Sequence, residues 1–134
     1  MDESNVNEDS RPARRVLVIE NEQYISDLYA RALAKKGYQV DIEADGEQGL
    51  KTAQTDKYDI ILLDLMMPNM TGVEILKNLR DKTKTPSLKA KVIITTNLEE
   101  REDVREELER NADGYIIKAE LTPGELAEFL DGVK

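Results

Sequence analysis

The sequence predicts an α/β domain in which five strands of a doubly wound parallel sheet alternate with five helices. Two observations predict it. Short apolar runs such as Ile60-Ile-Leu-Leu63 lack polar alternation, so each reads as a strand buried on both faces, which requires a parallel sheet covered by helices. Between these runs lie segments with apolar residues at helical spacing, joined by short links that carry turn and capping signals.

The elements follow in order. Residues 1–13 (MDESNVNEDSRPA) are polar and acidic, with too little apolar surface to offset their ordering entropy, and are expected to form a disordered tail before a domain over 14–134. Residues 15–20 (RVLVIE) form a buried strand ending in acid. Asn21 is then expected to cap a helix carrying Ile25, Leu28, Tyr29, Ala32 and Leu33, closed by Gly37. Residues 38–44 alternate as an edge strand does, with Val40, Ile42 and Ala44 on one side, and Asp45-Gly46 turns into a short helix at 47–54 that buries Leu50 and Ala53. The strand ending at Asp64 comes next. Thr71 and Glu74 form a capping box for a helix burying Val73, Leu76 and Leu79, and residues 81–90 are a long polar connection. Residues 91–96 (KVIITT) are another buried strand. The helix expected at 98–111 is the most charged, with only Leu98, Val104, Leu108 and Ala112 to bury, so its local stability should be low. Gly114 to Lys118 make the last strand, and Thr122-Pro-Gly-Glu125 starts a helix with Leu126, Phe129, Leu130 and Val133 inward.

Composition narrows the function classes. A chain of 134 residues builds one core, and the absence of cysteine removes disulfides and thiolate metal sites. With 28 acidic against 19 basic residues and a net charge of -9, the protein repels nucleic acid and anionic membranes, and no direct nucleic-acid partner is expected. No apolar stretch approaches the ~20 residues of a spanning helix and no leader opens the sequence, so no membrane insertion and a cytoplasmic location are expected. Histidine is absent. Any metal must therefore be held by oxygen.

The informative stretch is 58–72, YDIILLDLMMPNMTG, where a buried strand ends in Asp64 and a proline and a glycine then turn the chain. That edge is where open α/β sheets bind ligands. Asp64, Pro68 and Gly72 in D-L-M-M-P-N-M-T-G resemble the phosphoacceptor loop of the response-regulator receiver family of bacterial two-component signalling. The resemblance runs from Arg14 nearly to the end of the chain. It implies the flavodoxin-like strand order 2-1-3-4-5, which brings Glu20, Asn21, Asp64, Thr96 and Lys118 to one crevice.

On that resemblance Asp64 is the phosphoacceptor, and Mg²⁺ is the cofactor, held by Glu20, Asn21, Asp64 and the Met66 carbonyl. Lys118 and Thr96 stabilise the phosphoryl group, and Thr96 with Tyr115 acts as the switch. The implied donor is a histidine kinase or phosphotransfer protein. The output is a change in the face built by the helix at 98–111, the last strand and the last helix, read by a downstream protein. Because the sequence stops as the last helix ends, a stand-alone receiver is expected, not an enzyme beyond its own phosphorylation and dephosphorylation.

Four positions depart from the family pattern. The acidic pair, two aspartates in the family, is Glu20-Asn21; a small residue after the switch hydroxyl is Asn97; and the proline after the lysine is Ala119. These keep open a pseudo-receiver that acts as a phosphorylation-independent interaction module. A flavodoxin-like cofactor binder is opposed by Glu20-Asn-Glu22, which repels phosphate where such proteins cradle it. An aspartate-nucleophile phosphatase wants a second acid two residues beyond Asp64, where Met66 stands.

Overall fold

The computed structural model describes residues 13–97 and 101–133; residues 1–12 of the expected 1–13 tail, residues 98–100 and Lys134 lie outside the described residues. Five strands, β1 (Arg15–Ile19), β2 (Gln39–Glu43), β3 (Ile60–Asp64), β4 (Lys91–Thr96) and β5 (Gly114–Ile117), form one parallel sheet in the order β2-β1-β3-β4-β5. Five helices lie between or after them: α1 (Gln23–Lys35), α2 (Gly46–Ala53), α3 (Gly72–Arg80), α4 (Glu102–Asn111) and α5 (Pro123–Asp131).

Successive side chains of a strand point to opposite faces, and this divides the core in two. Ile61 and Leu63 of β3 pack with Leu17, Ile19 and Ile94 under Leu50 of α2, Ile75 and Leu79 of α3 and Leu108 of α4. Ile60 and Leu62 pack with Val16, Val18 and Ile93 under Tyr29 and Leu33 of α1 and Leu126 and Leu130 of α5. All five residues of β3 are buried, and each of its apolar side chains contributes on the order of 1.5–3 kcal/mol by burial. Among the described strands β3 alone is buried at every residue. Its last residue is Asp64.

Several boundaries differ from the sequence expectation, each for a local reason. Asn21 does not cap α1: the N-cap is Glu22, whose side chain makes no cap bond. The Glu20 carboxylate already accepts from the Glu22 N–H at 3.1 Å, which carries the turn one residue further before the helix begins. The end of α1 is as expected, with Gly37 (φ +93°) and Tyr38 donating back to Ala34 and Leu33 at 3.0 and 3.1 Å. In α3 the inward residues are Ile75, Leu76 and Leu79, and Val73 is only half-buried. In α5 Phe129 is 42% exposed, because Leu126, Ala127 and Leu130 occupy the face that meets the sheet. The expected start of α4 at 98 falls outside the described residues; its helical backbone begins at Glu102, after an extended Arg101 (φ -58°, ψ 151°). Strand β5 ends at Ile117, and Lys118 opens a single 3₁₀ turn, Lys118–Glu120. The Lys118-Ala119 peptide is trans.

Both capping boxes are present, Thr71 with Glu74 and Thr122 with Glu125. Edge strand β2 is half-exposed, with Ile42 39% accessible. Among the described residues no helix is long and apolar enough to cross a membrane.

Candidate functional site

The register of the sheet decides which strand ends meet. Ile19 pairs with Leu63, and Asp64 pairs with Thr95, so the residues after β1 and at the ends of β3 and β4 stand level at one edge. Thr96 pairs with Ile117, which delivers Lys118 to the same edge. Glu20, Asp64 and Thr96 are 1%, 2% and 2% exposed.

Three charged groups make direct contact. Lys118 Nζ donates to Glu20 Oε1 at 2.7 Å and lies 3.4 Å from Asp64 Oδ1, with its own side chain only 7% exposed. A lysine this buried is held charged only by such partners. Two carboxylates share one ammonium, which leaves an uncompensated negative charge in a buried crevice. Burial pushes the Glu20 carboxyl above the usual range, the Lys118 hydrogen bond opposes that rise, and the Asp64 charge adds to it. Tyr29, buried on α1, is pushed up to about 12, first by burial and then by the charges of Glu20 and Asp64.

The other expected residues are placed differently. Asn21 is exposed, and Met66 is 71% exposed with its backbone N–H donating to Asp64 Oδ1 at 3.2 Å. Tyr115 is half-buried on β5, and the Arg105 guanidinium of α4 sits over its ring at 4.7 Å. It belongs to a neighbouring contact outside the ion-paired cluster. Helix α3 starts tight against the acceptor strand: a Cβ at Gly72 would stand 2.5 Å from the Asp64 carbonyl oxygen and 2.6 Å from Leu65 Cα. Only glycine allows this approach.

The donor chemistry fits a hard divalent cation. Every candidate ligand is oxygen, and the surplus negative charge of the Glu20–Asp64–Lys118 cluster calls for a cation. Among the described residues no group of three or more acids converges. A Mg²⁺ ion here would therefore rely on Glu20, Asp64, the Asn21 side chain, the Met66 carbonyl and water, consistent with its habit of one or two carboxylates and several waters.

The sequence reading did not foresee the Glu20–Lys118 pair, nor Asp45 and Asn69. Asp45 Oδ1 accepts from Asn69 Nδ2, and Asp45 Oδ2 caps α2 through the Gln48 N–H at 2.9 Å. Asn69 has φ +69°, and an asparagine directly after a proline in a turn was the available signal.

The family model for the response regulator receiver domain matches residues 16–131. The chain belongs to that family. This receiver is 38% identical over 119 residues to the response regulator ArlR of Staphylococcus epidermidis, an alignment covering 89% of the chain and 50% of the relative. It spans about half the length of the curated relatives it matches. Among solved structures it resembles the chemotaxis response regulator CheY4 of Vibrio cholerae, with TM-score 0.78 and 28% identity over 92% of this chain and 100% of that one. It also resembles response regulator protein TrrA of Thermotoga maritima, solved in complex with Mg(2+)-BeF, with TM-score 0.72 and 32% identity over 88% and 96% of the two chains.

Proposed function

We propose that this receiver accepts a phosphoryl group on Asp64 from a phosphohistidine of a histidine kinase or phosphotransfer protein. The observation that carries the reading is a buried strand-end carboxylate with Lys118 Nζ 3.4 Å from its Oδ1. An Asp64 carboxylate oxygen attacks phosphorus, the P–N bond to the donor imidazole breaks, and a P–O bond forms. Water later attacks the acyl phosphate, releasing inorganic phosphate and restoring the carboxylate. Lys118 balances the incoming negative charge, and the Thr96 hydroxyl is drawn toward the phosphoryl oxygens. Glu20, Asn21, Asp64 and the Met66 carbonyl would hold Mg²⁺, which would supply charge neutralisation for the phosphoryl oxygens. That TrrA was solved in complex with Mg(2+)-BeF supports Mg²⁺ as the ion.

Output passes through α4, β5 and α5 to a downstream protein, with Thr96 and Tyr115 as the switch pair. The domain works in the cytoplasm, contacts no nucleic acid itself, and catalyses nothing beyond its own phosphorylation and dephosphorylation. The reading concerns residues 14–134 and is independent of what precedes or follows them.

One observation favours the pseudo-receiver instead. Lys118 makes its shorter contact with Glu20, 2.7 Å against 3.4 Å to Asp64, and Asn21 replaces an acid. Under that reading the closed ion pair is a structural plug, and the module binds partners without phosphorylation. Intact mass after incubation with Mg²⁺ and acetyl phosphate separates the two. A gain of one phosphoryl group, removed by hydroxylamine and absent in a folded Asp64→Asn variant, supports the acceptor; no gain supports the interaction module. Label persisting in Asp64→Asn overturns the site assignment.

A further inference from the structure

The turn between β2 and α2 touches both halves of the site. Its upstream end holds β1: the Glu43 carbonyl accepts from the Glu20 N–H at 3.0 Å. Its downstream end holds the acceptor loop, 65–71, at two points. Asp45 Oδ1 accepts from Asn69 Nδ2, and the Gly46 N–H donates to the Pro68 carbonyl at 3.3 Å. The fit is tight, since a Cβ at Gly46 would collide with the Met70 carbonyl oxygen.

Asp45 commits both oxygens. Oδ2 accepts from the Gln48 N–H at 2.9 Å, capping α2, while Oδ1 takes Asn69. Asn69 in turn holds a left-handed backbone, φ +69°, which asparagine and aspartate tolerate better than other side chains. The same loop supplies the Met66 N–H that donates to Asp64 Oδ1 at 3.2 Å. A shift of the loop therefore reorients the carboxylate.

We propose that Asp45 and Asn69 are positioning residues: their side-chain bond clamps the acceptor loop to the start of α2 and, through the Met66 N–H, aims the Asp64 carboxylate without touching the reacting atoms. The catalytic part of this inference rests on Asp64 being the acceptor. The clamp itself does not.

Because Asp45 uses its two oxygens separately, cap and clamp can be separated. Asp45→Asn keeps the cap through its one side-chain oxygen, and its amide meets Asn69 once the Asn69 amide turns over to present oxygen, so it is the mild variant of the pair. Asn69→Asp sets two carboxylates face to face. The double variant, Asp45→Asn with Asn69→Asp, reverses donor and acceptor, restoring the bond and keeping the cap.

Two readouts are taken on the full chain: amide exchange of residues 65–71 without phosphodonor, and the rate of labelling by acetyl phosphate at saturating Mg²⁺. Asn69→Asp is expected to speed exchange in 65–71 and slow labelling about tenfold, and the double variant to recover both. A merely structural role would not give rescue by the reversed pair. Labelling of Asn69→Asp at the wild-type rate, or a double variant as slow as Asn69→Asp, overturns the positioning role. If the wild type itself takes no label, the acceptor reading has failed independently. Exchange then judges the clamp: loosening reversed in the double variant supports it, and unchanged exchange overturns it.

Discussion

Glu20 and Asp64 set two buried carboxylates against one ammonium, and that imbalance determines what each nearby substitution does. Burial raises the Glu20 carboxyl above its unfolded value, so the native state binds more protons than the unfolded state between the two values. Stability from this group is therefore lowest above the folded value and rises as pH falls into that window. Glu20→Gln removes the unfavourable charge and leaves Lys118 paired with Asp64, so no ammonium is orphaned. Metal-free stability at neutral pH is expected to rise by about 1–2 kcal/mol, read by thermal unfolding, while Mg²⁺ affinity falls. A lower melting temperature would mean that the Lys118 bond outweighs the burial cost. Asn21→Asp adds charge at an exposed position and is expected to tighten Mg²⁺ about tenfold, a change of about 1.4 kcal/mol, by direct titration. No effect from either variant would show that this crevice does not bind metal. Asp64 and Glu20 were legible in the sequence because each interrupts an apolar run at a strand end. The Glu20–Lys118 bond was not, since its partners are 98 positions apart and meet only through the strand order.

Helix α4 buries fewer residues than any other α-helix of the described residues. Leu108 is its one fully buried residue, Val104 is half-buried, and Arg101 offers no side-chain cap bond. Few buried apolar contacts mean low local stability. Amide exchange is expected to be faster in 104–112 than in the other helices, and on phosphodonor addition to change most there and around Tyr115, which carries Arg105 of α4 over its ring. No change in that region, with labelling confirmed, would remove Thr96 and Tyr115 from the switch. Strands were read well because a continuous apolar run needs no tertiary information. The starts of α3 and α5 followed from their capping boxes at Thr71 and Thr122, whereas those of α1 and α4 did not, because the beginning of α1 is set by Glu20, a residue of the site, and that of α4 by the extended Arg101. Phe129 shows a further limit: helical spacing defines a stripe, but the neighbours decide its width, and Phe129 falls at the stripe's edge beside Gly114.

Across the whole molecule, three buried tyrosines connect distant segments. Tyr38 donates to Asp131 at 2.7 Å and Tyr58 to Asp41 at 2.6 Å, while Tyr29 faces the charges of Glu20 and Asp64. All three are pushed up to about 12, burial being the first cause in each. A phenol raised in the folded state contributes stability that is complete below its unfolded value near 10 and lost as pH rises through 12. The protein is expected to hold its fold to about pH 10 and then unfold cooperatively, with these tyrosines ionising in the same step in near-ultraviolet absorbance. Ionisation well before loss of helical signal would contradict that coupling. The order β2-β1-β3-β4-β5 carries a last consequence, for synthesis. Once β1 and β2 have paired, every later strand adds to an outer edge and none inserts between two already joined. A chain emerging from the ribosome N-terminus first can thus build its sheet outward from β1 and β3. Until β5 arrives, the open edge is β4, five of whose six residues are buried in the finished fold. A chain stalled there presents an adhesive, unpaired strand to its neighbours, and the arrival of β5 is what covers it.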